Sequence, residues 1–436
     1  MLLLILNTSS HDKFFLLFMI VFFVFLFFGL FFFVRKDNKT FIILITLTFV
    51  TFFLQFLVGR TFEFKSYKTV LNSCFICLNI FLIIKPWSCS NILKVVNDRN
   101  DFFLFFKKIL YKFLFLNFCL NSIILVLVLI YLPDIAAFKA ESAYLNLYDQ
   151  IPYFANVFRY AYTTQNSGYL AIPIFYYHLS RQENKMAIYA FLLSSSSLLS
   201  GFAFYSRAQI FTYSLIFVIY FFLIKNTLSS SIQVKVLNFI KYATFSVVVL
   251  FLTITYLRFS SMDYYGERIP QNSIIKDPII YSLFDYASQS YSNGLYQLEV
   301  YTSQKNLHGE QFLRDVYQIL NFFGVVSWDV KESQELIDNA YDFDGGAFNG
   351  YTTPLVFNFG YFFTIVISSL YFICTTIMLK NKSAVSLKSL FFLILLLFIP
   401  TVSIFYTGYA IILFPLILLV FCNFTFSLKK NITKLL

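Results

Sequence analysis

The sequence predicts an all-α membrane protein that crosses the bilayer many times. Apolar residues make up 59% of the chain, charged residues only 13%, and the mean hydropathy is +0.72. Soluble domains usually carry roughly a quarter charged residues. Runs of about twenty apolar residues, enough to cross ~30 Å of hydrocarbon, recur along nearly the whole chain. These runs are continuously apolar rather than alternating, which favours helices over a β-barrel.

About eleven segments (10–12) have the length and composition of transmembrane helices. They lie at 14–34, 41–58, 69–87, 113–132, 167–180, 186–205, 209–224, 239–257, 353–379, 389–405 and 407–427. The fifth is short and contains Pro173 and His178, which weakens it as a span. No small-residue cleavage site follows the first segment, so it predicts a membrane span rather than a signal peptide.

The lysines and arginines predict which loops face the cytoplasm, because cytoplasmic loops collect these residues. With the N-terminus outside, the inner segments hold twenty basic and four acidic residues, and the outer segments hold thirteen basic and eighteen acidic residues. This distribution accounts for the net charge of +11. The charge therefore predicts a lipid-bilayer partner and no nucleic acid. Arg60, Lys65 and Lys68 fall on the outer side and fit this orientation poorly.

The segment Arg258–Gly350 is polar and contains thirteen of the twenty-two acidic residues. In this orientation it is a large extracytoplasmic loop. The chain is then predicted to consist of a bundle of eight spans at 1–257, the loop at 258–350, and three further spans at 351–436. All six cysteines fall in or beside apolar spans, so no disulfide framework is expected in the loop.

An amphipathic helix is predicted inside the loop, at Gly309–Gly324. Its apolar residues recur at helical spacing on one face: Phe312, Val316, Ile319, Leu320 and Phe323. Such a helix can lie on a membrane surface. Arg314 on its polar face is then placed to bind a lipid phosphate, although a solvated polar face would give the same pattern.

Arg207 is the candidate with the most specific setting. It lies in a short turn between two strongly apolar segments, at Tyr205-Ser206-Arg207-Ala208-Gln209. An arginine at such a depth costs a few kcal/mol unless it is paired or binds an anion. We therefore expect Ser206, Arg207 and Gln209 to bind a phosphate, with snorkelling of the arginine to the interface as the alternative.

Further arginines occur in the predicted outer segments. Arg258 and Arg268 flank the start of the large loop, and Arg159 lies in a tyrosine-rich outer segment at 133–166. With Arg207 and Arg314 they could converge on one pyrophosphate. The tyrosines of that outer segment are equally typical of an interfacial aromatic belt.

His308 and Glu310 are the candidates for a general base, which needs reach to a substrate hydroxyl. A surface histidine in a turn is the alternative interpretation of His308. The Asp- and Asn-rich stretch Asn339–Gly350 lacks the spacing of a calcium loop and suits a flexible lid better. Zinc-ligand, Walker and Rossmann patterns are absent from the sequence, so no metal and no cofactor are predicted.

These features together resemble one membrane family. The chain has ten to twelve apolar spans, a Ser206-Arg207 turn before a span, and one large outer loop late in the sequence. The loop is followed by a Gly-Tyr-Thr-Thr…Phe-Asn-Phe-Gly segment at Gly350–Gly360. In these features the chain is similar to the O-antigen polymerases, also called oligosaccharide repeat unit polymerases. In that family the end of this segment often reads acid-Phe-Gly. Here Asn358-Phe359-Gly360 stands in its place, so no carboxylate role is carried over.

The resemblance implies a glycosyltransferase that uses no nucleotide sugar and acts at the outer face of a bacterial inner membrane. Its substrates would be oligosaccharides linked to undecaprenyl pyrophosphate, with the growing glycan transferred en bloc to a new lipid-linked repeat unit. A chain-length regulator and a flippase would be its protein partners. The arginines would stabilise the diphosphate leaving group, and His308 or Glu310 would accept the proton of the attacking hydroxyl.

Three other functions stay open at this point. An O-antigen ligase shares the layout and the chemistry. A polysaccharide flippase or transporter should place ionisable residues inside its spans, whereas Lys85 and His178 are nearly the only ones here. A structural membrane protein is the third.

Overall fold

The computed structural model describes the following residues: 32–33, 38–58, 67–96, 101–131, 164–204, 206–259, 269–271, 273–322, 324–341, 349–380, 383–403, 405, 412, 415–418 and 420. Helices dominate them, which confirms the all-α prediction. Thirteen α-helices occur in this part of the chain: α1 Lys39–Leu57, α2 Tyr67–Ile84, α3 Asp101–Tyr131, α4 Ala171–Ser180, α5 Asn184–Ser194, α6 Ser196–Ala203, α7 Arg207–Ile224, α8 Ser230–Phe259, α9 Pro278–Val300, α10 Glu310–Phe322, α11 Val330–Tyr341, α12 Thr352–Leu379 and α13 Leu387–Val402. Short 3₁₀ helices occupy Lys85–Cys89, Gln165–Leu170, Lys225–Thr227 and Ser303–Lys305.

Six helical segments within the described residues are long and apolar enough to cross a membrane. They are Tyr67–Cys89, Lys107–Ile130, Asn184–Ala203, Ala208–Thr227, Ser230–Leu250 and Thr352–Leu379. Five of them match a predicted span closely at one or both ends, and Ser230–Leu250 overlaps only the first part of the predicted span 239–257. Two more predicted spans, 41–58 and 389–405, correspond to the shorter apolar helices Lys39–Gln55 and Leu387–Val402. The count of about eleven stays a prediction, because 14–34 and 407–427 fall mostly outside the described residues.

The predicted span 167–180 has a different structure. A 3₁₀ helix, Gln165–Leu170, leads directly into α4, which has only ten residues. Every residue of α4 from Ala171 to His178 is buried inside the protein. At 1.5 Å per residue α4 is about 15 Å long, and the 3₁₀ helix adds about 12 Å, so together they are close to the length of a span. The segment is buried among other helices, and its assignment as the fifth span stays a prediction.

The described elements form two compact units, each containing its own packed helices. The first unit contains α1, α2 and α9–α12, and the second contains α3–α8 with most of α13. The second unit also holds a pair of three-residue parallel strands, β1 Lys94–Val96 and β2 Ala384–Ser386. These strands are not predictable from the sequence, because three residues are too few to show a two-residue alternation.

Within the first unit, the polar segment forms helices that pack against predicted spans. α9 begins at an N-cap, Asp277, whose carboxylate accepts a hydrogen bond from the Ile280 N–H at 2.8 Å, and Pro278 occupies its first turn. α9 then packs against α1, α2 and α12. Its Tyr291, Leu295 and Leu298 join a buried apolar cluster with residues of all three partners. Much of the predicted loop is thus packed helix.

Candidate functional site

The Gly350–Gly360 segment reverses the direction of the chain. Gly360 interrupts α12 with φ 76° and ψ 171°, a conformation open essentially to glycine alone. The Tyr351 hydroxyl lies 3.1 Å from the Ser368 Oγ, whereas a continuous helix would separate these positions by about 25 Å. Residues 352–359 therefore fold back along the rest of α12. We call this segment the fold-back helix.

Contacts with α2 and α9 hold both ends of the fold-back helix. At its start, Thr353 donates a hydrogen bond to the Gly294 carbonyl of α9 at 3.1 Å. A side chain at position 294 would approach the Thr353 hydroxyl within 2.7 Å and the Asn349 carbonyl within 2.8 Å, so only glycine fits there. After the reversal, the Tyr361 hydroxyl donates to Asn72 of α2 at 2.8 Å.

Asn358 ties the fold-back helix to α10. Its Oδ1 accepts a hydrogen bond from the Phe312 N–H at 3.4 Å, and its Nδ2 donates to the Gln311 Oε1 at 3.3 Å and to the Pro354 carbonyl at 2.6 Å. The side chain is only 3% exposed. The amide thus serves as one acceptor and two donors, a combination that a carboxylate cannot supply.

Gln311 receives a second hydrogen bond at the same oxygen. The Tyr341 hydroxyl of α11 donates to the Gln311 Oε1 at 2.8 Å. Burial raises the pKa of Tyr341 despite its hydrogen bonds with Asn349 and Gln311, so the phenol keeps its proton and remains a donor. The Tyr341 ring also stacks on Phe357 of the fold-back helix at 4.2 Å between centroids.

His308 and Glu310 lie beside the C-terminal end of the fold-back helix. The Leu307 N–H donates to the Phe357 carbonyl at 2.7 Å, and Gly309 packs near the Phe359 ring. His308 is exposed and has a positive φ of 48°. Glu310 is half-buried at the first turn of α10, where its carboxylate accepts a hydrogen bond from the Trp328 indole. The two base candidates thus differ in their surroundings, since the His308 side chain is exposed and the Glu310 carboxylate is hydrogen-bonded.

The predicted amphipathic helix also occurs, as α10 over Glu310–Phe322. Phe312 contacts the Phe359 ring at 5.5 Å between centroids, so part of its apolar face packs on the protein. Arg314 belongs to α10, but its side chain lies outside the described part of the structure. Its role at a membrane surface stays a prediction.

The Arg207 turn lies in the second unit and is as tight as the sequence predicts. α6 ends at Ala203 and α7 begins at Arg207, with the Ser206 N–H donating to the Gly201 carbonyl at 2.7 Å. The Gln209 side-chain amide donates a hydrogen bond to the Gln165 Oε1 at 2.9 Å. The structure describes the backbone of Arg207 but not its side chain.

The remaining arginine predictions are untested. Arg258 continues α8, which extends to Phe259, so this residue is helical rather than part of a loop. Its side chain lies outside the described part, and Arg159 and Arg268 fall outside the described residues altogether. The convergence of five arginines on one pyrophosphate stays a prediction.

Gln165 organises the polar interior around this turn. Its Oε1 accepts hydrogen bonds from Gln209 and from Ser200, and its backbone carbonyl accepts one from Ser197 at 2.7 Å. Ser197 belongs to a run of four serines, Ser194–Ser197, and Gly168 approaches Ser196 and Ser197 too closely for any side chain. The serine run is thus a packing element.

A separate titratable cluster in the second unit surrounds His178. One ring nitrogen lies 2.8 Å from the Tyr111 hydroxyl, and the other contacts the Glu183 carboxylate. Arg181 donates to the same carboxylate at 3.0 Å. The hydrogen bond from His178 and then that from Arg181 lower the pKa of Glu183. Glu183 directly precedes α5, so the cluster connects α3, α4 and α5.

The first unit contains a cavity at the start of the fold-back helix. It has a volume of about 40 Å³ and is lined by residues of α1, α2, α9 and the Asn349–Thr353 segment. Hydroxyl-bearing side chains dominate its polar lining. This part of the site was not predicted from the sequence. A signal existed, since the buried residues Tyr281, Asp285, Ser288, Tyr291, Leu295 and Leu298 recur every three to four positions in α9.

Together, these contacts define a site in the first unit where a reversed helix, three polar helices and two candidate bases meet. Among the residues that the structure describes, no group of His, Cys, Asp and Glu has the arrangement of a metal site. No family model, curated protein or solved structure matches the chain.

Proposed function

We propose that this protein polymerises lipid-linked oligosaccharide repeat units into a surface polysaccharide. The observation that carries the proposal is the fold-back helix. The Gly350–Gly360 segment on which the family resemblance depends forms the start of α12, and α9, α10 and α11 of the polar segment pack on α12 or its neighbours. A polar site supported by apolar spans suits a substrate whose lipid tail stays in the bilayer and whose glycan does not.

The proposed reaction needs a base and a stabilised leaving group. The oxygen of the acceptor sugar hydroxyl attacks the anomeric carbon of the donor glycan, and the bond from that carbon to the diphosphate oxygen breaks. The hydroxyl proton passes to the base, and the lipid diphosphate leaves with the electron pair. Positive charge near the diphosphate stabilises this step, and Arg207 has that role in the proposal, assisted by Arg159, Arg258, Arg268 or Arg314.

The described contacts favour His308 over Glu310 as the base. The Glu310 carboxylate already accepts a hydrogen bond from Trp328 and lies at a helix N-terminus, where negative charge is stabilised. Within the described residues, the structure gives the exposed His308 ring no hydrogen bond. A base must reach a substrate hydroxyl, which an exposed ring can do.

The test is deletion of the gene followed by electrophoresis of the surface polysaccharide. We expect long chains to disappear while a single repeat unit is still attached to its carrier. Loss of all attached glycan would instead favour a ligase or a flippase. Unchanged long chains would reject all three functions.

Single substitutions then test the residues. Arg207→Ala should abolish chain extension at unchanged protein level, whereas Arg181→Ala, which removes an arginine bonded to Glu183, should leave it intact. His308→Gln should reduce the rate of extension by about 10²–10⁴-fold, the usual contribution of a general base. Full-length chains from Arg207→Ala would remove Arg207 from the mechanism.

A further inference from the structure

The cavity at the start of the fold-back helix has a mostly apolar surface, and the polar groups among its lining residues are uncharged. Thr48 and Thr51 come from α1, Ser290 and Tyr291 from α9, and Thr352 and Thr353 from the fold-back helix. Among its described lining residues, none is acidic, basic or a histidine. An ion buried there would lack a partner of opposite charge, which is costly in a low-dielectric interior. The lining therefore selects a neutral ligand.

Three of these hydroxyl groups can only accept further hydrogen bonds. Thr48 donates its proton to the Leu44 carbonyl at 3.0 Å, and Thr51 donates to the Leu47 carbonyl at 2.9 Å. Thr353 donates to Gly294. Each oxygen keeps lone pairs but has no proton left to offer. A ligand beside these oxygens must donate hydrogen bonds, which argues against a small anion.

Thr352, another lining residue, can donate a hydrogen bond. Thr352 is 2% exposed, and its hydroxyl has no hydrogen-bond partner among the described residues. The first N–H groups of a helix lack partners within that helix, and the fold-back helix begins at Thr352. The same cavity thus presents donors and acceptors. A hydroxyl group, which both donates and accepts, can form hydrogen bonds with both kinds of group.

We propose that this cavity binds one or two hydroxyl groups at the edge of a neutral sugar. Its volume of about 40 Å³ accommodates a few water-sized groups, since one water needs roughly 10–15 Å³ on this measure. A hydroxymethyl group or two neighbouring ring hydroxyls have that size. The inference rests on the proposed function only in taking sugars as the substrate, and it assigns the neutral part of that substrate to the fold-back helix.

The test uses the purified full-length protein in detergent and three probes: glucose, galactose and N-acetylglucosamine. Saturation-transfer NMR measures their binding to the wild type and to Thr352→Val, which removes the hydroxyl and keeps the shape. Because one neutral hydrogen bond contributes about 0.5–1.5 kcal/mol, we expect the Kd of a bound probe to rise about two- to tenfold. Thr352→Ser, which restores the hydroxyl, should restore binding.

Thr375→Val is the matched control. Thr375 is a fully buried threonine of α12 that does not line the cavity. This variant should bind the probes like the wild type. If no probe binds the wild type, or if Thr352→Val and Thr375→Val bind alike, the cavity contains only ordered water and the inference is wrong.

The outcome is separable from that of the proposed function. If sugar binding depends on Thr352 but deletion of the gene leaves long chains intact, the sugar site is supported and the polymerase function is rejected. Loss of long chains on deletion, with sugar binding unchanged in Thr352→Val, would keep the polymerase and reject the site.

Discussion

Asn358→Asp places an acidic residue at a position where the resembled O-antigen polymerases often carry one, and we expect it to destabilise this protein. The native amide donates to the Pro354 carbonyl at 2.6 Å and to the Gln311 Oε1 at 3.3 Å. A carboxylate at position 358 would instead bring lone pairs against both oxygens. The residue is 3% exposed, so water cannot relieve the repulsion.

The cost follows from the two contacts. Gln311 could turn its amide toward the new carboxylate, but it would then lose the hydrogen bond from Tyr341. The Pro354 carbonyl is fixed by the backbone and cannot turn. Each buried polar group left without its partner costs about 1–3 kcal/mol, so two such groups give an expected loss of about 2–6 kcal/mol at neutral pH.

The pH dependence of this loss has a definite sign. A protonated carboxylic acid can donate one hydrogen bond to Pro354, whereas the carboxylate cannot. The variant should therefore approach wild-type stability as the pH falls from 7 toward the ordinary aspartate range near 4. Its deficit should grow as the pH rises.

Thermal unfolding of the detergent-solubilised protein at pH 5 and pH 7 measures the effect. Asn321→Asp is the control, because Asn321 is an exposed residue of α10 whose Oδ1 only accepts a hydrogen bond, from the Trp328 N–H at 3.3 Å. A carboxylate preserves that role. Equal midpoints for both variants at pH 7 would refute the assignment of two donated hydrogen bonds to Asn358.

Three further changes test other parts of the structure by the same unfolding measurement. Gly360→Ala should cost about 1–3 kcal/mol from backbone strain alone, since the nearest atom to the added methyl is 3.9 Å away; wild-type stability would argue against the reversal. Gly168→Ala should cost about 1–3 kcal/mol by forcing a methyl against Ser196, and an unchanged midpoint would contradict the close packing. Glu183→Gln should lower the free energy of unfolding by about 1 kcal/mol at pH 7. The value is small because Glu183 is 40% exposed, so solvent screens its interaction with Arg181. The lowered pKa of Glu183 means that its contribution is present above the ordinary glutamate pKa of about 4.3 and is lost as the pH falls through the lower folded value. A difference in stability that does not shrink as the pH falls below about 4.3 would contradict this ion pair.

Local sequence properties were sufficient to predict most of the helices. Long apolar runs must satisfy their backbone hydrogen bonds internally, which fixes α2, α3, α7 and α12 almost without reference to the rest of the chain. The α10 helix was likewise predictable from its apolar spacing. Hydropathy did not predict α9, because its buried face consists largely of Ser, Tyr, Gln and Gly, which a hydropathy pattern counts as polar, even though its buried residues recur at helical spacing.

Part of the candidate site was likewise predictable from the sequence, and part was not. His308 and Glu310 are near neighbours in sequence, so any fold would place them close together. Asn358 was identified as a departure from the family pattern, but its role as a triple hydrogen-bonding residue depends on Gln311 and Phe312 of α10. Such contacts join residues 46 and 47 positions apart, and sequence spacing alone does not predict them.

The sequence by itself determined that this is a helical membrane protein with a polar, acidic segment late in the chain. Only the tertiary structure decided that α12 folds back at Gly360 and that α9 packs into the first unit beside it. The physical reason is that hydropathy acts over a single helix, whereas the reversal depends on one glycine dihedral angle and on contacts such as Tyr361 to Asn72, which are 289 positions apart. The cavity at the start of the fold-back helix is likewise formed by residues far apart in sequence, from α1, α2, α9 and the Asn349–Thr353 segment.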